Sequence, residues 1–186
     1  VVLEPQADCP AAQVANRQIV AAYDDPAGLA ELARACAVVT YEFENVPVHA
    51  AELLAADVPV FPPPRALEVA QDRLAEKDAL NRMGISTARF LPVDNDADLE
   101  AALAAFGGDG VLKTRRLGYD GKGQRVFRGA KPDEAKGVFA AMGSVPLILE
   151  GLVPFEREIS VIAARGRDGR VAAYDPAENV HSDGIL

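Results

Sequence analysis

Over the first 65 residues, short apolar triplets and pentads alternate with stretches whose apolar positions return every three or four residues. That alternation of periods predicts strands interleaved with helices, the pattern of a β-α-β layer on a parallel sheet. Val1-Val2-Leu3 opens as a strand, followed by a strand over 18–22, a helix over 26–36 and a strand over 37–41. Asp24 or Asp25 supplies the N-cap oxygen of that helix, and Pro26 suits its first turn. A second helix is predicted over 47–56 and a short strand over 58–61. Pro62-Pro63-Pro64 then stops regular structure and marks a boundary near residue 65.

Beyond it the pattern changes. Residues 65–83 are helical in period, but the apolar positions fall on two stripes, Leu67, Ala70 and Leu74 and then Val69, Leu80 and Met83, which predicts a bend or two short helices ending at Gly84. A strand over 89–93, an alanine-rich helix over 96–106 and strands over 110–114 and 124–127 follow, with a glycine loop at 115–123. A helix over 131–142 precedes strands over 146–150, 158–165 and 170–174, the last two joined by a turn signalled by Asp168-Gly169. The fold class read from this is α/β. A partial Rossmann-like N-terminal layer occupies 1–65, and a second α+β domain occupies 66–186.

Composition narrows the chemistry. Of the 49% hydrophobic residues, 34 are alanine, and no apolar run approaches the 18 or so residues of a membrane helix. These features point away from membrane-spanning and secreted classes. Two cysteines, Cys9 and Cys36, make neither a disulfide framework nor a zinc cage, so a reducing cytoplasm is the expected compartment. Net charge is −9, which repels a phosphate backbone and speaks against a nucleic-acid partner. The charge is uneven, however: Lys113, Arg115, Arg116, Lys122, Arg125 and Arg128 crowd into sixteen residues beside one acid, Asp120. A basic island in an acidic chain suits a small anion. Val1 starts without methionine inside a strand and the chain stops on Ile185-Leu186, so both ends read as cuts in a longer protein.

Gly118-Tyr119-Asp120-Gly121-Lys122-Gly123-Gln124 places three glycines between two strands, where backbone N–H groups can approach an anion. Taken alone, the loop fits an ordinary hairpin as well. It is not a Walker A motif, because Gly123 follows the lysine, and it is not a dinucleotide fingerprint, because a strand follows it. Lys113 ends an apolar strand and needs an anion there, which predicts a phosphate. Glu150-Gly151-Leu152-Val153 runs from an apolar strand into a Gly/Pro-broken connector whose unpaired backbone groups would suit an adenine edge, or simply link two domains. Glu158 could accept ribose hydroxyls, and Arg73 and His181 carry no signal alone.

Together these features resemble the ATP-grasp superfamily. Thr40-Tyr41-Glu42-Phe43-Glu44-Asn45-Val46, Gln71-Asp72-Arg73, Leu112-Lys113-Thr114-Arg115-Arg116, the glycine loop, Pro154-Phe155-Glu156-Arg157-Glu158-Ile159-Ser160 and Glu178-Asn179-Val180-His181 are, in order, similar to the 5-(carboxyamino)imidazole ribonucleotide synthases. The resemblance implies a ligase that uses ATP and Mg2+ to join bicarbonate, through carboxyphosphate, to 5-aminoimidazole ribonucleotide in purine biosynthesis. It implies an ATP-grasp lid over roughly 86–148, part of a second lobe, and a cytoplasmic homodimer. By position, Arg73, Lys113, Gly118, Tyr119, Asp120, Gly121, Lys122, Gly123, Gln124, Glu150, Gly151, Leu152, Val153, Glu158 and His181 would contact the nucleotide. Tyr119, Asp120 and Lys122 would serve catalysis.

The family's opening glycine-rich element would precede Val1, and its magnesium ligands and substrate-phosphate groups would follow Leu186, so no metal ligand is assigned here. Leu117 stands where many members have glycine. Another ATP-grasp carboxylase or ligase, such as a biotin carboxylase or a formate-dependent glycinamide ribonucleotide transformylase, is the neighbouring alternative. A nucleotide-binding fragment without turnover is the alternative from a different class.

Overall fold

Strand β1 (Val2–Leu3) runs parallel to β2 (Gln18–Ile19), with Val2 opposite Gln18 and Leu3 opposite Ile19. The computed structural model describes residues 1–118 and 123–180, and the chain divides into two units, Val1–Thr87 and Ala88–Leu186. In the first unit, helix α1 (Pro26–Ala35) starts where Asp25 accepts the Gly28 N–H at 2.6 Å, with Pro26 in the first turn. Its buried Leu29 and Leu32 pack with Ala50, Ala51 and Leu54 of α2 (Val48–Asp57) and with Ile19, Val39, Val58 and Val60. Both parallel segments line a cavity of about 320 Å³, Leu3 from one and Val39 and Val60 from the other.

Strand lengths are shorter here than the pattern predicts. The strand expected over 18–22 ends at Ile19, whose carbonyl accepts the Glu4 N–H; the next donor in step, Gln6, gives its N–H to the Glu4 carboxylate at 3.2 Å instead. The strands expected over 37–41 and 58–61 reduce to one parallel bridge, Val39 to Val60: the Phe61 N–H donates to the Val39 carbonyl, and the next donors in step on either side, Pro59 and Pro63, have no N–H. Pro62 and Pro63 interrupt regular structure as expected, and Pro64 is already the first residue of α3 (Pro64–Ala70), a position that requires no N–H. The predicted bend lies between α3 and α4 (Arg73–Arg82). Gln71 closes the first of these helices, and Asp72 caps the second by accepting the Leu74 and Ala75 N–H groups at 2.9 and 3.2 Å.

Among the described residues of the second unit, β3 (Phe90–Val93), β4 (Gly110–Thr114), β5 (Gln124–Phe127) and β6 (Leu147–Glu150) form one antiparallel sheet ordered β3-β6-β4-β5. Helix α5 (Asp96–Ala105) lays Leu99, Ala102 and Leu103 against Val93, Leu112, Phe127, Leu147 and Leu149. These form a fully apolar core on one face of the sheet. The helix expected over 131–142 is two pieces, a 3-10 turn at Pro132–Ala135 and α6 (Val138–Ala141). Gly137 between them sits at φ 73°, which breaks the helical path.

The strand expected over 158–165 also divides, because its two halves choose different partners. β7 (Glu158–Ser160) pairs with β10 (Ala177–Asn179), a strand the apolar pattern does not announce, while β8 (Ala163–Arg165) pairs with β9 (Val171–Ala173).

Asp96 fastens the broken helix to α5. Its carboxylate accepts the N–H groups of Phe139 at 2.9 Å and Gly137 at 2.6 Å, and those two bonds hold its pKa below the ordinary aspartate value. The folded chain therefore binds this proton more weakly than the unfolded chain. The contribution is complete above the ordinary carboxylate pKa and is lost as pH falls through the depressed value. Asp96→Asn is expected to lower Tm by a few degrees at pH 7. Thermal melts from pH 7 to pH 3 check this: the gap between native and variant should close toward the acid end, and a constant gap would remove the carboxylate from the explanation.

Candidate functional site

Alternation along β4 sends Leu112 to the α5 face and Val111 and Lys113 to the other. Along β6 the same rule sends Leu147 and Leu149 to α5, and Ile148 and Glu150 to the opposite side. Glu150 stands across from Val111, so Lys113 reaches it diagonally, with Nζ 2.8 Å from Oε2. The side chains are 29% and 12% exposed, which makes this a largely desolvated ion pair. The anion beside Lys113 is thus a carboxylate of the chain itself, which corrects the inference that burial alone demands an external phosphate there. An ammonium has three N–H donors, and this contact uses one.

The glycine loop leaves the sheet at the Thr114 end of β4 and the connector leaves it at the Glu150 end of β6. Because the two strands are antiparallel, these exits lie at opposite ends of the sheet, about 10 Å apart at ~3.3 Å per residue. The Lys113–Glu150 pair lies on the face between them. At the loop end the Thr114 N–H donates to the Gly123 carbonyl at 2.9 Å, and a Cβ on Gly123 would come within 3.1 Å of Thr114 Oγ1. Leu117 takes φ 59°, a left-handed conformation that disfavours side chains other than glycine, asparagine or aspartate. The glycine that the resemblance would place there has no such strain. Gly118 is half-buried and Gln124 opens β5 exposed. Tyr119, Asp120, Gly121 and Lys122 lie outside the described residues, as does His181.

At the connector end Gly151 is buried and donates its N–H to the Arg89 carbonyl at 2.9 Å. Leu152 is half-buried and Val153 exposed, and the Val153 carbonyl accepts the Phe155 N–H at 2.9 Å. Two of the backbone groups expected to be open are therefore already engaged. Glu158 on β7 accepts from Asn179 Nδ2 at 2.8 Å, and the same amide donates to Ser160 Oγ at 2.8 Å. Asn179 thus orients Glu158, a role that only the register of β7 and β10 reveals.

Arg73 is the first residue of α4 in the other unit. There Gln71, 6% exposed, donates from Nε2 to the carbonyls of Glu44 and Val46, each at 2.5 Å. That ties the 40–46 string to the α3–α4 junction. Nearby in sequence, Tyr23 donates its hydroxyl to Glu4 at 2.5 Å; that bond first, and burial second, push its pKa up to about 12. Among the described residues no group of three His, Cys, Asp or Glu side chains could hold a metal ion. These residues do not by themselves fit magnesium, and no step is assigned through it.

Residues 1–71 match the model of the ribonucleotide synthetase preATP-grasp domain, and residues 78–186 match that of the ATP-grasp domain. The N5-carboxyaminoimidazole ribonucleotide synthase of Brucella melitensis biotype 1 is 63% identical over 186 residues, which are 100% of this chain and 51% of that protein. The crystal structure of N5-carboxyaminoimidazole ribonucleotide synthetase from Thermus thermophilus superposes with a TM-score of 0.87 at 46% identity, over 99% of this chain and 49% of that one. The N5-carboxyaminoimidazole synthetase from Staphylococcus aureus complexed with ADP gives 0.91 at 33% identity, over 100% of this chain and 49% of that one. The chain spans about half the length of the relatives it matches. The family model for the ATP-grasp domain covers more than half of the chain, over residues that include the sheet, loop and connector described above; the chain belongs to the ATP-grasp family.

Proposed function

We propose that the protein carrying this chain is an ATP-dependent carbon–nitrogen ligase that carboxylates 5-aminoimidazole ribonucleotide with bicarbonate. The observation that carries the reading is the placement of the Lys113–Glu150 pair on a sheet face with the glycine loop at one end and the connector at the other. A nucleoside triphosphate laid along that face meets the connector with its base and the loop with its phosphates. Lys113 then donates to a phosphate oxygen while Glu150 holds its ammonium in place. Glu158, oriented by Asn179, would accept ribose hydroxyls, and the resemblance adds Arg73, Gly118, Gly123, Gln124 and His181 as residues assigned to the nucleotide.

Bicarbonate is a weak electrophile. Transfer of the γ-phosphoryl group gives carboxyphosphate and ADP, the exocyclic amine then attacks its carbonyl carbon, and inorganic phosphate leaves. Residues 86–148 act as the lid that keeps water from the mixed anhydride. Asp120 is assigned to accept a hydrogen bond from the amine, and Tyr119 and Lys122 are the further catalytic residues that the resemblance implies. The reading includes Mg2+ as a cofactor whose ligands would come from outside the described residues, and it makes the protein a cytoplasmic homodimer. Among the described residues no helix is long and apolar enough to cross a membrane.

The native protein should release phosphate from ATP in a manner that depends on both bicarbonate and the ribonucleotide. Asp120→Asn should cut the ribonucleotide-dependent rate at least ~100-fold through misplacement of the amine, while slow bicarbonate-dependent hydrolysis stays near native. Equal losses in both assays would defeat the orienting role. Nucleotide binding without co-substrate-dependent phosphate release would replace the ligase with the non-turnover alternative.

A further inference from the structure

Arg89 flanks β3 and touches the connector twice. Its carbonyl accepts the Gly151 N–H at 2.9 Å, and its side chain lies over the Gly151 Cα, so closely that a Cβ there would sit 3.0 Å from Arg89 Cγ and 3.2 Å from Nε. The guanidinium is itself anchored. Its Cζ stands 4.3 Å from the centroid of the Phe106 ring, and Nη2 is 3.5 Å from the Phe106 carbonyl, at the C-cap of α5. One side chain therefore bridges the end of the core helix to the residue at which β6 leaves the sheet. The residue before that exit is Glu150, which holds Lys113.

We infer that Arg89 is a positioning residue for nucleotide binding: it fixes the path of Gly151-Leu152-Val153, and with it the ledge for the purine base. The inference rests on the nucleotide reading proposed above. Arg89 touches no reacting atom, and its influence passes through Gly151. A Cβ at Gly151 would press on the arginine stem, which would have to give by a few tenths of an ångström, so glycine suits the contact. Sequence alone gives no hint of this, since Arg89 reads there only as the first residue of the strand expected over 89–93, with no motif around it.

The test compares native protein, Arg89→Ala and Arg89→Lys by ATP titration, by steady-state kinetics and by amide exchange at Gly151. Arg89→Ala should raise the Kd and KM for ATP about fivefold and speed exchange of the Gly151 amide, while kcat at saturating ATP changes far less. Arg89→Lys keeps a stem over Gly151 and a cation over the Phe106 ring, so it should recover at least half of the lost affinity. A lowered Tm with ATP affinity and Gly151 exchange unchanged would overturn the inference and leave a structural residue. Native protein that binds no ATP would instead sink the nucleotide reading, and this inference with it.

Discussion

Lys113→Met is expected to weaken ATP binding ten- to a hundredfold and to destabilise the sheet at the same time. The two effects have separate causes. The first is loss of a charge-assisted contact to phosphate, worth about 1.5–3 kcal/mol. The second is loss of the cation 2.8 Å from a carboxylate that is only 12% exposed. Removing one partner of a fully buried pair costs ~3–5 kcal/mol; with Lys113 29% exposed, about 2–3 kcal/mol is the reasonable figure here. A double variant, Lys113→Met with Glu150→Leu, separates the causes. Replacing both charges by apolar groups should restore stability to within ~1 kcal/mol of native. Nucleotide affinity should stay low, because the phosphate has still lost its ammonium. Urea denaturation and ATP titration of the four proteins in the cycle provide the check. Recovery of ATP affinity in the double variant would show that Lys113 serves only Glu150.

Leu149→Ala should be the most damaging substitution in the core of the second unit. Leu149 is fully buried in β6 and packs on the same face as Leu112, Val93 and Leu103. Truncation removes apolar contact and leaves a cavity that the flanking strands cannot close, for a loss of about 3–4 kcal/mol. Its neighbours Ile148 and Glu150 point to the other face, so the damage reaches the ion pair only through backbone displacement. ATP affinity should therefore fall less than in Lys113→Met, even though stability falls more. Denaturation midpoints set against ATP Kd for the two variants test this; a loss below ~1 kcal/mol would mean that the sheet packs loosely around this position.

Apolar period served well wherever one face of an element is buried and the other is not. α1, α5, β4 and β5 lie where their residue patterns place them, and the antiparallel pairing of β4 with β5 follows from the loop between them. Period failed where a backbone donor or a distant partner decides the outcome. Pro59 and Pro63 shorten a ladder that its apolar neighbours would extend, and Gly137 with Asp96 breaks a helix whose composition is otherwise permissive. At the site, Lys113 and Glu150 each stood out, but their pairing depends on β6 inserting between β3 and β4, which no local pattern encodes. Asn179 and Arg89 act through contacts set by tertiary structure: the Glu178–His181 string contains Asn179 without giving its role, and no motif surrounds Arg89.

The order β3-β6-β4-β5 also governs the sequence of events as the chain folds. β4 and β5 are near neighbours along the chain and can pair as a hairpin, whereas β3 has no partner until β6 arrives from beyond α6. Closing so long an intervening segment carries a loop-entropy cost before any contact offsets it. During synthesis, a ribosome that has released Phe127 but not Leu147 presents a β4–β5 hairpin and an α5 that lacks its contacts with Leu147 and Leu149. Lys113 then has no Glu150 to meet. The ion pair and the packed core appear together, with the last strand, so the surface proposed to hold nucleotide comes into being only when the unit is complete.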